Sequence, residues 1–315
     1  MSSITDNNPL VSIIMNCRNS QEYLKEAIDS VFAQSYTHWE IIFWDNASTD
    51  NSAMIAKSYG EKVRYFRGET AIALGQARNL AMAQAKGEYL TFLDCDDLWA
   101  KQKLSRQVRL MTERKEVDFI YANYYRVIMP LADNLILGLQ GRQPEGEVFG
   151  FFLTHYPVNL QTVMVRMDTI KRLKVKFDDT LELAEEFDFF MRILLKSKAA
   201  YINEPLVIYR IHQNMGSRKL QYRYPVELDY IKDKFSKFKD FNKNEYRHAF
   251  KYFEANVGYW CAKVNMEKGD CRLARSRLVP YKFINFKFFL LYLVAFLPAR
   301  VWKFLHRYKL QGKFQ

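Results

Sequence analysis

Three carboxylates follow a short apolar run in the first half of the chain. Residues 89–93 have the length and composition of a buried strand, and Asp94, Asp96 and Asp97 come directly after it. Ligands of an open α/β sheet bind outside the carboxyl ends of its strands, so these acids would face a crevice. Clustered carboxylates repel one another unless a cation neutralises them, and oxygen ligands suit Mg²⁺ or Mn²⁺. The alternative is an acidic turn in which Asp96 or Asp97 caps the helix expected near Lys101.

A second group of acids lies in the second half, in the sequence LAEEFDFFMRI. Glu185, Glu186 and Asp188 fall at the start of a predicted helix whose apolar stripe contains Phe187 and Phe190. One of these carboxylates is a candidate general base. Acids at a helix N-terminus are also favoured by the helix dipole, so a purely structural role is the alternative.

The elements that position these acids alternate between strand and helix. Apolar strands are predicted at residues 10–15, 39–44, 63–66, 89–93 and 119–121, with helices between them. This rhythm indicates an α/β fold with a doubly wound, mostly parallel sheet. Polar residues follow three of the strands, at positions 16–19, 45 and 94–97, and they would meet in one crevice that Arg78 could join. Turn chemistry alone is the alternative for each loop.

Composition indicates a folded globular protein, with 49% hydrophobic residues among 315. The four cysteines, Cys17, Cys95, Cys261 and Cys271, form neither a CxxC pair nor a metal-finger pattern. No signal peptide is recognised before the first predicted strand, so we expect a protein of the reducing cytosol.

The net charge of +12 is concentrated in the C-terminal tail. Residues 271–315 contain ten Lys or Arg, eleven aromatic residues and no acid, whereas residues 1–270 carry only +2. Basic residues interleaved with aromatic and aliphatic ones are typical of a segment that lies on an anionic membrane surface. The longest uncharged run, residues 288–299, is 12 residues long, short of the roughly 20 that span a bilayer. It is too apolar for a nucleic-acid surface, and a core helix or a homodimer face are the alternatives.

Five segments resemble family 2 of the nucleotide-sugar glycosyltransferases, which have the glycosyltransferase A fold. They are VSIIMNCRNSQEYLKEAIDSVFAQSY, WEIIFWDNASTDNS, GQARNLAMAQAKGEYLTFLDCDDLW, and ELAEEFDFFMRI followed by YRIHQNMGS. The resemblance covers residues 10–217 and implies a catalytic domain over residues 1–217, with a nucleotide-binding half (1–125) and an acceptor half (126–217). Residues 218–315 would be a helical extension that ends in the membrane-associating tail.

The resemblance also implies roles for individual residues. Donor contacts are expected from Cys17, Asn19, Asp45 at the nucleobase, Arg78, Asp94 at the ribose or sugar, and Arg210. The metal, Mn²⁺ or Mg²⁺, would be held by Asp96 and His212. Glu186 matches the second member of the family's acidic pair and would be the catalytic base, with Glu185 as the next candidate. Asn159, Gln161, Thr162 and Asp188 are weaker candidates for the acceptor side. Arg18 and Asn16 depart from the Tyr or Phe and the Pro that are common in the family.

The implied activity is an inverting, metal-dependent transfer of a sugar from a nucleoside diphosphate sugar to a saccharide hydroxyl. UDP is the expected nucleotide, and the tail favours a lipid-linked acceptor at the cytoplasmic face of the membrane. A nucleotide-sugar binding protein without turnover and a nucleotidyltransferase are the alternatives. The second would normally have a Gly-rich loop after the first strand, and MNCRNSQEYL contains no glycine. Residues 127–147, rich in Gly and Pro, are expected to form an irregular connection over the site that orders when the donor binds.

Overall fold

The computed structural model describes residues 8–216, 220, 222–238, 241, 244–298 and 301, without the side chains of residues 131–133. The chain forms two compact units. Unit 1 contains residues up to 149 and 156–215, and unit 2 contains residues 150–155 and those from 216 onward. The boundary predicted from the sequence lies at residue 217, with residues 150–155 in the catalytic domain.

Unit 1 is built on a mixed nine-stranded sheet. Its strands are β1 (Val11–Cys17), β2 (Trp39–Asp45), β3 (Val63–Arg67), β4 (Tyr89–Phe92), β5 (Leu98–Trp99), β6 (Val117–Ile128), β7 (Leu131–Leu137), β8 (Met164–Arg166) and β9 (Lys198–Ile211). The order is β3-β2-β1-β4-β8-β6-β9-β5, and β7 pairs with β6. β1 to β4 are parallel, as are β6 and β9, whereas β5, β7 and β8 run antiparallel to their neighbours.

Helices cover the sheet and connect its strands. In unit 1 they are α1 (Gln21–Phe32), α2 (Ser52–Lys57), α3 (Leu74–Met82), α4 (Lys103–Glu113), α6 (Met167–Leu173) and α7 (Glu185–Leu194); α5 (Phe149–Thr154) falls almost entirely in unit 2. The apolar runs of β1 and β2 are buried almost throughout, because both faces of the parallel sheet are covered. The predicted α/β fold class is confirmed.

One expectation about local structure is wrong. Residues 127–137 are not irregular: β6 continues to Ile128 and pairs with β7 in a hairpin. Pro130 at its turn and the mixture of polar and apolar residues obscured the strand alternation.

Gly87 lies between α3, which ends at Met82, and β4. A Cβ at Gly87 would lie 2.6 Å from the Leu10 carbonyl oxygen, so the glycine permits close approach to the chain before β1.

Among the described residues, unit 2 also contains the helices α8 (Tyr224–Ser236), α9 (Arg247–Glu267), α10 (Cys271–Leu278) and α11 (Phe286–Val294). The Asp270 and Asn285 side chains cap α10 and α11 by accepting hydrogen bonds from backbone N–H groups. Ala262, Met266 and Leu278 belong to its apolar core. None of the described helices is both long and apolar enough to cross a membrane. The part of the predicted tail from residue 302 onward lies outside the described residues.

Candidate active site

The three acids after β4 form a compact cluster. One carboxylate oxygen from each of Asp94, Asp96 and Asp97 lies within 4.8 Å of the others. Asp97 is buried, and its Oδ1 accepts a hydrogen bond from the Arg210 backbone N–H at 2.8 Å. The capping alternative is wrong, because α4 begins after Gln102 and no side chain caps it.

Arg78 joins this cluster to the acids of the second half of the chain. Its guanidinium is buried, lies 3.5 Å from Asp94 Oδ1, and donates a hydrogen bond to Glu185 Oε1. Gln161 holds the other oxygen of Asp94 through its Nε2, at 2.6 Å. Desolvation raises the pKa of Asp94 to about 6. The negative charges of Asp96 and Glu185 raise this pKa further, whereas the positive charge of Arg78 lowers it. Acids from sequence positions 91 apart therefore share one site.

The two acids at the start of α7, Glu185 and Glu186, lie in different environments. Glu185 is buried against Arg78, whereas Glu186 forms no hydrogen bond or ion pair with any described residue. Desolvation raises the pKa of Glu186 to about 8, with Glu185 and Asp94 adding to the shift and Arg78 opposing it. A carboxyl with a pKa near 8 can exchange a proton near neutral pH, as a general base must.

Asp188, proposed for the acceptor side, is fully buried one turn from Arg192. Its Oδ2 accepts hydrogen bonds from Arg192 at 2.9 and 2.6 Å, in an i,i+4 ion pair within α7. This arrangement supports a structural part for Asp188.

Arg210 and His212, at the end of β9, lie against the acid cluster. His212 Nε2 is 2.9 Å from Asp96 Oδ2. Arg210 donates to the Asp96 carbonyl oxygen and to Glu26 of α1, while its Nη2 is buried without a hydrogen-bond partner in the described chain. The guanidinium stacks on the Tyr23 ring at 4.6 Å. Arg210 therefore fixes the loop of Asp96 and keeps one donor group for a ligand.

Asp45, at the end of β2, is fully buried and held from three sides. Ser48 N–H donates to Oδ1 at 2.7 Å, and Oδ2 accepts from Tyr65 at 2.5 Å and from Arg67 at 2.7 Å. Burial raises its pKa, but these hydrogen bonds and the charge of Arg67 outweigh that effect and leave the pKa below its ordinary value. A nucleobase contact by this carboxylate would have to replace one of these bonds.

The other two predicted donor residues follow β1. Cys17 is buried with its Sγ 3.9 Å from Ser48 Oγ, and Asn19 Oδ1 accepts from the Thr49 N–H at 2.8 Å. The hydrogen bond with Cys95 lowers the pKa of Cys17 to about 7, against the effect of burial. The two loops after β1 and β2 are thus tied to each other.

The predicted acceptor residues Asn159, Gln161 and Thr162 lie at a short 3₁₀ turn that precedes β8, spans Leu160–Thr162 and is capped by Asn159. Asn159 accepts from the Gln161 N–H at 3.2 Å, and Thr162 donates to the Asn159 carbonyl at 2.7 Å. Of these side chains, Gln161 reaches the acid cluster, at Asp94.

Three residues that bond to the predicted site residues were not expected from the sequence: Tyr65 and Arg67, which bond to Asp45, and Glu26, which bonds to Arg210. Tyr65 and Arg67 alternate along β3 and could have been found as polar side chains at a strand end. Glu26 on α1 gave no such signal, because its position depends on contacts between distant segments.

The acid cluster suits a divalent cation. Asp94, Asp96 and Asp97 supply hard oxygen ligands, His212 supplies an imidazole nitrogen, and Asp97 Oδ2 is buried without a hydrogen-bond partner in the described part of the chain. Burial raises the pKa of Asp97 well above its ordinary value, and the charges of Asp96 and Asp94 add to that effect, so a cation would relieve the repulsion.

Comparison with known proteins gives consistent results. The model of "Glycosyl transferase family 2" matches residues 12–164. An uncharacterized glycosyltransferase of Rickettsia typhi is 31% identical over 207 residues, 65% of this chain and 64% of the relative, so the match spans less than two thirds of that protein. The Escherichia coli enzyme WfaP, named a UDP-Glc:alpha-D-GlcNAc-diphosphoundecaprenol beta-1,3-glucosyltransferase, is 31% identical over 64% of this chain and 78% of its own.

A solved structure shares the fold at lower identity. Residues 1–349 of TarS from S. aureus, in complex with UDP-GlcNAc, align with a TM-score of 0.62 and 17% identity over 85% of this chain and 87% of that one. With the family model, the sequence relatives and the fold in agreement, the chain belongs to glycosyl transferase family 2.

Proposed function

We propose that the protein is an inverting, metal-dependent glycosyltransferase that moves a hexose or N-acetylhexosamine from a UDP-sugar to a saccharide hydroxyl. The observation that carries this proposal is the Arg78 bridge, which brings Asp94 of the acid cluster and Glu185 of the acidic pair into one site. A donor site and a candidate base in a single crevice are what glycosyl transfer requires.

On the donor side, Asp96 and His212 would hold the cation, with Asp94 and Asp97 beside them. When bound, the cation stabilises the negative charge of the departing diphosphate. The buried Nη2 of Arg210 supplies a further donor group suited to a phosphate oxygen. Asp94, fixed by Gln161 and Arg78, faces the ribose or sugar.

On the acceptor side, Glu186 takes the proton of the attacking hydroxyl. Its partner Glu185 is neutralised by Arg78, which leaves Glu186 as the acid without a pairing cation. The hydroxyl oxygen then attacks the anomeric carbon from the face opposite the diphosphate. A single displacement of this kind inverts the anomeric configuration and needs no protein nucleophile.

The E. coli relative suggests the class of acceptor. Its name describes glucose transfer from UDP-Glc to a GlcNAc linked to a diphosphate lipid. We propose the same class here, a lipid-linked saccharide used in surface polysaccharide, lipopolysaccharide or glycoprotein glycan assembly.

The surface of unit 2 supports action at a membrane. Phe283 and Phe286 are 80% and 77% exposed, and Leu290 and Leu293 follow on α11 with about half of each side chain in solvent. Residues 286, 290 and 293 share one helical face. With ten Lys or Arg and no acid after residue 270, this face would bind the anionic cytoplasmic surface of the membrane peripherally.

The test is product formation from a panel of UDP-, GDP- and dTDP-sugars with a short-chain GlcNAc-diphosphate lipid and Mn²⁺. We expect one UDP-sugar to yield a glycosylated lipid and UDP. Glu186→Gln should slow turnover at least ~10²-fold without weakening donor binding, because a general base contributes that much. Glu113→Gln, on the surface of α4, is the matched control and should retain full activity.

Two results would overturn the proposal. Donor binding without any product would indicate a binding protein, and release of pyrophosphate would indicate a nucleotidyltransferase.

A further inference from the structure

The ring of Tyr23, in the first turn of α1, contacts two side chains of the candidate donor site. Its centroid lies 5.0 Å from that of the His212 imidazole, with the two planes tilted by 44°. The guanidinium carbon of Arg210 lies over the same ring, 4.6 Å from the centroid. Arg210 is near the end of β9 and His212 follows that strand directly. One aromatic side chain therefore connects α1 to both residues.

The imidazole of His212 has little else to fix its orientation. Its Nε2 lies 2.9 Å from Asp96 Oδ2, and its Nδ1 is buried without a hydrogen-bond partner among the described residues. A histidine that binds a metal usually uses its second ring nitrogen for a hydrogen bond that orients the ring. A cation bound by both Asp96 and His212 would replace the hydrogen bond at Nε2. The contact with Tyr23 would then keep the imidazole in place.

Arg210 is held by three contacts, two of which come from α1. It donates hydrogen bonds to the Glu26 carboxylate and to the Asp96 carbonyl oxygen, and its guanidinium faces the Tyr23 ring. The electron-rich face of an aromatic ring attracts such a cation. Tyr23 and Glu26 are three positions apart, so they lie on the same side of the helix. The N-terminal half of α1 thus holds Arg210 while its Nη2 stays available to a ligand.

We propose that Tyr23 is a positioning residue of the donor site, whose ring fixes the His212 imidazole and the Arg210 guanidinium. This inference rests on the proposed function, because it takes these two side chains as partners of the cation and of the donor diphosphate. Tyr23 makes both contacts with its ring. Phenylalanine should therefore replace it, whereas an aliphatic side chain should not.

The first measurement is the affinity for UDP, determined by calorimetry at one fixed Mn²⁺ concentration, which needs no turnover. The variants are Tyr23→Leu, Tyr23→Phe and the control Tyr59→Leu. Tyr59 is also a partly buried tyrosine, and its ring packs on Phe32 at the opposite end of α1. Urea unfolding of each variant shows how far the loss of either ring lowers stability.

We expect Tyr23→Leu to weaken UDP binding at least ~10-fold, the lower limit for the loss of a residue that orients a metal ligand. Tyr23→Phe and Tyr59→Leu should bind UDP as wild type does. Equal affinities of wild type and Tyr23→Leu would overturn the inference. An equal loss in Tyr59→Leu would also overturn it, because general destabilisation would then explain the effect.

The second measurement needs neither metal nor nucleotide. It is the rate at which diethyl pyrocarbonate modifies His212, followed by mass spectrometry of the peptides, with the exposed His38 as the internal reference. We expect His212 to react several-fold faster in Tyr23→Leu than in wild type, and at the wild-type rate in Tyr23→Phe. The same rate in all three proteins would show that the ring of Tyr23 does not hold the imidazole.

Together the two measurements separate this inference from the proposed function. Weaker UDP binding and faster modification in Tyr23→Leu would support the inference even if no glycoside forms, in which case the proposed function alone fails. Faster modification with unchanged UDP binding would refute the inference, because the side chains that Tyr23 holds would not serve the donor. Wild type that binds no UDP in the presence of Mn²⁺ would refute both.

Discussion

Replacing Glu186 with glutamine should stabilise the protein while it removes activity. Desolvation and the neighbouring Glu185 raise the pKa of Glu186 from 4.5 to about 8. The folded state therefore favours the protonated carboxyl, whereas the unfolded chain favours the carboxylate at any pH above its ordinary pKa. Glutamine resembles the protonated form and carries no such cost.

The magnitude follows from linkage. A raised carboxyl pKa in the folded state means that wild type loses stability as pH rises from about 4.5 to about 8, at about 1.4 kcal/mol per pH unit. Below this window the loss is absent, and above it the loss is complete. The stability advantage of Glu186→Gln over wild type should therefore widen by about 2 kcal/mol between pH 6 and pH 8.

The assay is urea unfolding of wild type, Glu186→Gln and Glu185→Gln at pH 6, 7 and 8 without metal or nucleotide. Glu185→Gln is the contrasting variant, because it removes the carboxylate that accepts a hydrogen bond from the buried Arg78 guanidinium and should destabilise the protein by about 3 kcal/mol. A stability difference between wild type and Glu186→Gln that stays constant with pH would refute the assignment of a raised pKa to Glu186.

Three further results are expected. Asp96→Ala should abolish Mn²⁺-dependent donor binding, measured by calorimetry. Asp233→Ala, on the exposed surface of α8, is the control and should bind the donor normally. Donor binding that persists in Asp96→Ala would show that Asp96 is not a metal ligand. Lys103→Met should raise the free energy of unfolding in urea by about 1–3 kcal/mol at pH 7. Burial lowers the pKa of Lys103 well below 10.5, so wild type loses stability by burying this amine, and the loss disappears only as pH rises toward 10.5. A gain in stability that does not shrink at high pH would contradict this. The double change Phe286→Ser and Leu290→Ser should weaken binding to anionic vesicles at least ~10-fold. Met54→Ser, which changes an exposed side chain of unit 1, is the control and should bind like wild type. Equal binding of all variants would exclude this face of α11 as the membrane contact.

The first half of the fold was predictable because its signals are local. The apolar runs of β1, β2 and β4 are buried strands that end in polar residues, and helices follow the first two of them. The acids at 94–97 were found from that pattern alone.

The rest depends on pairings between distant segments. β6 runs for twelve residues, of which the sequence suggested only the first few, because its later part alternates irregularly and gains its order from parallel pairing with β9. Glu26 is similar: its ion pair with Arg210 joins residues 184 positions apart.

Asp45 illustrates a different limit. Its position after β2 was predicted, but the sequence did not indicate that Tyr65 and Arg67 of β3 would occupy its oxygens. An acidic residue at the end of a predicted strand shows where a carboxylate lies. Whether its oxygens are free to accept hydrogen bonds from a ligand depends on the side chains of the neighbouring strand.

The anomeric configuration of the product tests the central claim most directly. With an α-linked UDP-sugar as donor and the GlcNAc-diphosphate lipid as acceptor, proton NMR of the product gives the configuration of the new bond from its anomeric coupling constant. A single displacement with Glu186 as base predicts a β-linkage formed by wild type and nearly absent with Glu186→Gln. An α-linked product, or a β-linked product formed equally fast by Glu186→Gln, would contradict the account.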